Sequence, residues 1–314
     1  MDYRRVLITG GEGFIGANLA RRLATDGHDV HILSRPNPAR RWKLLDLLGV
    51  VAKVHPVDLL DRDDVRTAVA AVRPEVVFHL AGRVDLERSL EMARHCVSEN
   101  VLATINLVDA LRDLPIESMI YTSTTEVYGS GPRFREDQPV DPPSPYAVSK
   151  VAGESLCRLW VRQFGLPIRI LRIASAYGQG QPVARLIPSI IVSALRGRPP
   201  ILHNKGGRDF VHVDDVVRGI VSAAMTPLDP GEIVNLGSSE PFRIEEIAMM
   251  IFAEMRVDLS IEWRESRPNE SPYWATDVEK AERLLGWDPS VPIEEGLSRT
   301  ISWYRSLYER GEIR

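Results

Sequence analysis

Tyr146 and Lys150 stand one helical turn apart, and together they could move a proton. An ammonium close to a phenol favours the phenolate, which makes Tyr146 a base near neutral pH. Ser144 is a good N-cap and Pro145 suits the first helical position, so the pair opens a helix and shares one face of it. Far upstream lie Gly10, Gly13 and Gly16, within Gly10-Gly11-Glu12-Gly13-Phe14-Ile15-Gly16. Glycines so spaced serve a tight turn, a close approach of backbone to a pyrophosphate, and close packing of helix on strand. A helix starting there offers free N–H groups and a partial positive charge to phosphates. Ser123-Thr124-Thr125-Glu126, hydroxyls followed by a carboxylate, completes the groups able to handle protons.

These groups need a frame. Val6–Thr9 reads as a buried strand, and Phe14–Ala24 carries helical spacing through Phe14, Ile15, Leu19 and Leu23. Further strands are expected at Val30–Leu33, Val51–Val57, Val76–Leu80, Met119–Thr122 and Ile168–Leu171, with a helix over Asn100–Leu111. Such alternation builds a parallel sheet covered on both faces, with ligands at the C-terminal strand edge. The expected fold is α/β, a Rossmann-type doubly wound sheet. After about Ala174, Pro and Gly become dense; strand and helix return around Asp214–Leu236, and amphipathic helices around Val278–Leu285 and Ile293–Tyr308. The expected division is a dinucleotide-binding domain of 1–173 plus about 209–237, and a smaller interleaved α/β substrate domain of about 174–208 plus 238–314.

The end of the second strand chooses the cofactor. An acidic residue there would accept from a ribose 2′-hydroxyl and repel a 2′-phosphate. The chain instead has Ser34-Arg35, and a guanidinium beside a phosphate is worth about 1.5–3 kcal/mol. NADP is therefore favoured over NAD. Arg40, Arg41 and Lys43 read as a solvated helix start. Asp58-Leu59 and Leu80-Ala81-Gly82 fall where adenine and ribose should lie.

Thirty-nine Lys plus Arg against 43 Asp plus Glu, a net charge of −4, argue against a general nucleic-acid binder. No apolar run approaches about 18 residues, so no membrane-spanning helix is expected. Cys96 and Cys157 form no CxxC pair and the histidines show no metal spacing, which suits reduced thiols, a cytoplasmic location and no metal.

Taken together, Ile8-Thr-Gly-Gly-Glu-Gly-Phe-Ile-Gly16, His79-Leu-Ala-Gly82, Asn100, Ser123–Gly129, Tyr146/Lys150, Tyr177-Gly178, Arg208–Asp215 and Tyr273–Asp277 resemble the extended short-chain dehydrogenase/reductase family, its nucleotide-sugar epimerases and dehydratases. The resemblance spans essentially the whole chain. It implies that Tyr146 takes the proton of a sugar 4-hydroxyl as hydride leaves for a nicotinamide, and that Lys150 lowers the phenol's pKa and holds the nicotinamide ribose. Thr124 would bond the same sugar oxygen. Gly10, Gly13, Phe14, Ile15, Gly16, Ser34, Arg35, Asp58, Leu59, Leu80, Ala81, Gly82 and Thr122 would line the cofactor, together with Tyr146 and Lys150. Arg83, Ser175, Arg208, Arg267 and Glu270 would hold the nucleotide-diphosphate sugar, the two guanidiniums Arg208 and Arg267 suiting its diphosphate.

Thr125-Glu126 resembles the Thr-x-Glu of the 4,6-dehydratases. Once C4 is a ketone the C5 proton is acidic enough for a carboxylate, and Glu126 would remove it. Thr125 stands where the hexose dehydratases carry Asp, Ser175 where many relatives have Asn, and Leu202–Gly207 is a short loop. A dehydratase is expected slightly ahead of a 4-epimerase; an NADPH-dependent 4-ketoreductase and a silent dinucleotide sensor are the other readings. Apolar residues beyond one buried face of the helices around 100–112 and 145–164 (Val108, Val151, Leu156, Leu159, Trp160, Val161) lead to an expected homodimer through a four-helix bundle.

Overall fold

The computed structural model describes residues 4–36, 43–85, 87–203, 205–264 and 274–313. Among them, seven parallel strands form one sheet: β1 (Arg5–Thr9), β2 (Asp29–Ser34), β3 (Lys53–Pro56), β4 (Val76–His79), β5 (Ser118–Thr124), β6 (Ile168–Ile173) and β7 (Ile233–Leu236). Their order is β3-β2-β1-β4-β5-β6-β7. The chain runs outward one way from β1, then returns to β4 and runs outward the other way. Beyond the ends of β1 and β4 this reversal opens the crevice where open α/β sheets bind ligands.

The helices used below are α1 (Phe14–Thr25), α2 (Arg62–Val72), α3 (Leu90–Cys96), α4 (Ala103–Leu111), α5 (Pro145–Phe164), α6 (Leu186–Leu195), α7 (Val213–Met225), α8 (Ile244–Met255), α9 (Glu279–Leu285) and α10 (Ile293–Glu309). Strand side chains alternate between faces, so Val6 and Ile8 of β1 enter one core with α1, α7 and α9, while Leu7 enters the other with α2, α4 and α5. Burial on both faces explains why the strands read as continuous apolar runs. A third core gathers Ile187, Ile190, Ile247, Ile251, Leu297 and Tyr304 from α6, α8 and α10.

One expected helix is built differently. The helix read from Asn100 begins earlier, at α3, where Ser89 Oγ accepts from the Met92 N–H at 3.1 Å. Between α3 and α4, Val97–Leu102 forms a π-helical segment. Its polar Ser98, Glu99 and Asn100 interrupt the apolar period, which is why spacing alone started the helix too late. Such wide turns commonly present functional side chains.

Candidate active site

Gly10 leaves β1 at φ 70°, and a Cβ there would lie 2.7 Å from the Ala81 nitrogen, so the β1 and β4 ends approach as only glycine allows. A side chain on Gly16 would strike the Gly10 carbonyl. Gly13, the N-cap of α1, supplies no capping side chain, and the first helical bond is Ala17 N–H to Gly13 O at 2.8 Å. The N–H groups of the first turn are left for an anion, and a pyrophosphate fits.

A buried relay locks this turn in place. His79 sits between Thr9 Oγ1, 2.6 Å from Nδ1, and Thr104 Oγ1, 2.8 Å from Nε2. Thr104 donates to the Asn100 carbonyl at 2.5 Å, so Nε2–H donates to Thr104 and Nδ1 accepts from Thr9. Burial, then the Lys150 charge, brings the His79 pKa down to about 3. The ring is neutral and structural.

At the end of β5, Thr124 Oγ1 accepts from the Glu126 N–H at 3.2 Å and fixes the turn Thr125–Tyr128. Ser144 Oγ accepts from the Ala147 N–H at 3.1 Å and donates to Glu126 Oε1 at 2.5 Å. The cap of α5 therefore also aims Glu126. Tyr146 is buried, and burial first, then the Glu126 charge, pushes its phenol well above the usual range, while the Thr124 hydroxyl pulls the other way. Lys150 Nζ lies 6.0 Å from the Tyr146 ring centroid and donates to the Thr122 carbonyl at 2.9 Å. Burial lowers the ammonium to about 8. The sequence reading has the lysine lowering the phenol; in the folded chain desolvation dominates both groups and moves them apart. A Cβ on Gly82 would come within 3.2 Å of Nζ, so bare backbone faces Lys150.

Asn100 joins this region to the cofactor edge. Its Oδ1 accepts from the Arg83 N–H at 2.6 Å and its Nδ2 donates to Ser149 Oγ at 2.8 Å. Asp58 and Leu59 follow β3, Leu80 and Ala81 follow β4, and Thr122 lies in β5. Phe14 and Ile15 open α1 and pack partly on the core. Ser175 lies on the strand beside the one that carries Arg208. Arg35 is not an open cation, since its guanidinium meets Glu99 at 3.0 Å and Asp58 at 3.6 Å. Arg40, Arg41, Arg267, Glu270 and Tyr273 lie outside the described residues.

Three contributors were missed from spacing. Ser144 holds Glu126 as well as capping. Glu99 pairs with Arg35 and Arg83. Arg185 donates to the Val84 carbonyl at 3.0 Å, and its charge reaches Tyr146. Only Ser144 carried a signal, as the N-cap three residues before Ala147.

The sequence model of the NAD dependent epimerase/dehydratase family matches residues 6–237. A dTDP-glucose 4,6-dehydratase of Neisseria meningitidis is 30% identical over 96% of this chain and 93% of its own. A UDP-glucose 4-epimerase of Mycolicibacterium smegmatis is 31% identical over 96% and 99%. The crystal structure of a UDP-glucuronic acid 4-epimerase from Bacillus cereus, in complex with UDP-glucuronic acid and NAD, superposes with a TM-score of 0.89 at 28% identity, covering 96% of this chain and 99% of that one. Among the described residues no helix is long and apolar enough to cross a membrane, and no cluster of metal-ligating side chains is present.

Proposed function

The chain belongs to the NAD dependent epimerase/dehydratase family and is an enzyme of the extended short-chain dehydrogenase/reductase group, and from that premise we propose that it acts on a nucleotide-diphosphate sugar through a 4-keto intermediate, as a dehydratase ahead of a 4-epimerase. The observation that carries this reading is the Ser144–Glu126 bond, which holds a carboxylate within electrostatic reach of Tyr146. Bound dinucleotide would supply a hydride acceptor that later returns the hydride. Tyr146 takes the proton of the sugar 4-hydroxyl, Thr124 bonds the same oxygen, and Lys150 holds the nicotinamide ribose. Glu126 then takes the C5 proton and passes it to the C6 oxygen, which leaves as water as the C5=C6 bond forms. The returning hydride adds at C6 and a solvent proton at C5, and Thr125 stands beside Glu126 without an acid of its own. In this assignment residues 1–173 plus about 209–237 hold the cofactor, and about 174–208 plus 238–314 hold the sugar nucleotide, with Arg83, Ser175, Arg208, Arg267 and Glu270 as its contacts.

The phenol's raised pKa supports a site that becomes reactive only when loaded, since a cationic nicotinamide ring would favour the phenolate. For the dinucleotide, Arg35 alone favours NADP, whereas the carboxylates around it favour NAD. Val108, counted in the sequence as surplus to one buried face, is buried in the core under α4, with Trp160 and Val161 packed against that core. Apolar side chains left exposed on the π segment, α4 and α5, among them Val97, Leu102, Ile105 and Val148, support a homodimer through a four-helix bundle.

The test is Glu126→Gln with a panel of UDP-, dTDP-, GDP- and CDP-sugars. On mixing with its substrate the variant should gain near-ultraviolet absorbance that does not decay, with no solvent deuterium at C5. Normal turnover by Glu126→Gln would leave epimerisation or ketoreduction as the better reading, and mass spectrometry of the wild-type products separates those two.

A further inference from the structure

We infer that Glu99 sets the cofactor preference of this site toward the dinucleotide without a 2′-phosphate, by occupying Arg35. The inference rests on the dinucleotide-site reading above. A specificity acid is ordinarily sought at the end of β2, but Ser34 and Arg35 stand there. Here the acid arrives from 64 residues away, on the π segment between α3 and α4. Arg35 Nη2 donates to Glu99 Oε2 at 3.0 Å, and Arg35 Nε lies 3.6 Å from Asp58 Oδ2.

Glu99 is held in turn. Its Oε1 accepts from Arg83 Nη1 at 3.0 Å, and His95 Nδ1 lies 3.8 Å away. The Glu99 side chain is 15% exposed against 56% for Arg35, so the carboxylate is the better shielded member of the pair. Burial raises its pKa, but bonding to Arg35 and the charges of Arg35 and Arg83 outweigh burial and keep it low, so Glu99 is ionised at neutral pH.

A 2′-phosphate reaching this guanidinium would compete with Glu99 for its charge, and it would bring its own negative charge beside Glu99 and Asp58. A ribose 2′-hydroxyl meets no such repulsion and can donate to a carboxylate. The residue that argues for NADP in the sequence is neutralised in the fold by one that spacing does not connect to it.

The experiment uses the full chain freed of dinucleotide, with dissociation constants for NAD+ and NADP+ from titration calorimetry. The wild type should bind NAD+ more tightly. Glu99→Gln keeps the shape and removes the charge; it should tighten NADP+ by about tenfold or more while NAD+ changes by less than about threefold. That gain should vanish in Glu99→Gln/Arg35→Ala. Glu99→Asp, which keeps the charge on a shorter arm, should give a smaller gain in the same direction and guards against a misfolded Gln variant. A wild type that prefers NADP+, an unchanged ratio in both Glu99 variants, or a gain that survives loss of Arg35 overturns the inference and leaves the dinucleotide site standing. A wild type that binds neither dinucleotide overturns the site itself, and the inference with it.

Discussion

Lys150 is an ammonium held out of water, and the fold bears a cost for keeping it. Its pKa is lowered by burial from 10.5 to about 8, so between those values the unfolded chain binds the extra proton. Stability therefore rises with pH across that window, and the penalty is fully present below about pH 8. Lys150→Met should be more stable than the parent at pH 7, with the difference shrinking toward pH 10, as urea denaturation at the two values will show. A parent that is the more stable at pH 7 would contradict this. Tyr146→Phe keeps the packing and removes the phenol, and should cost turnover on the order of 10²–10⁴-fold with substrate affinity little changed. The Ser144–Glu126 bond spans 18 residues and leaves no mark in spacing. Tyr146 and Lys150 were legible as a pair because a single helical turn separates them. Glu99 and Arg35 were not, since neither residue's neighbours in sequence predict that the sheet order will bring them together.

Among the elements, the Thr9–His79–Thr104 relay ties β1 to β4 and to α4 beneath the glycine turn. His79→Ala would leave two buried hydroxyls facing a void. The expected loss is about 1–3 kcal/mol in chemical denaturation, with weaker dinucleotide binding. The folded ring is neutral down to about pH 3, while the unfolded ring takes up a proton below its ordinary 6.5. The parent is therefore penalised at pH 6 but not at pH 8, and the loss should be smaller at pH 6 than at pH 8. A loss that grows as the pH falls would mean the ring carries charge. The strands were legible to within a few residues: Val30–Leu33 was expected where Asp29–Ser34 forms, and Ile168–Leu171 where Ile168–Ile173 forms. Both faces of the sheet are buried, so composition alone marks its strands. The π segment was not legible, because its geometry depends on what Asn100 reaches across the crevice, Arg83 and Ser149, rather than on its own sequence.

For the molecule as a whole, light scattering should give twice the 35.2 kDa chain mass, and Ile105→Glu should shift it toward the monomer; a monomeric wild type at micromolar concentration would refute the bundle. The chain passes between the sheet-side cores and the third core repeatedly: between Ala174 and Tyr177, Phe210 and Val211, Leu236 and Ile244, Trp263 and Val278, and Trp287 and Ile293. At the last of these, Asp215 of α7 accepts from the Ser290 and Val291 N–H groups at 3.0 and 2.9 Å, and its carbonyl accepts from Trp287 Nε1 at 2.9 Å. A molecule woven in this way has no cassette to exchange. Grafting the segments around 174–208 and 238–314 from a relative would require several separate splices, each re-cutting a core. Single substitutions at the crevice disturb none of those seams, so they alter what the crevice can bind without re-cutting a core.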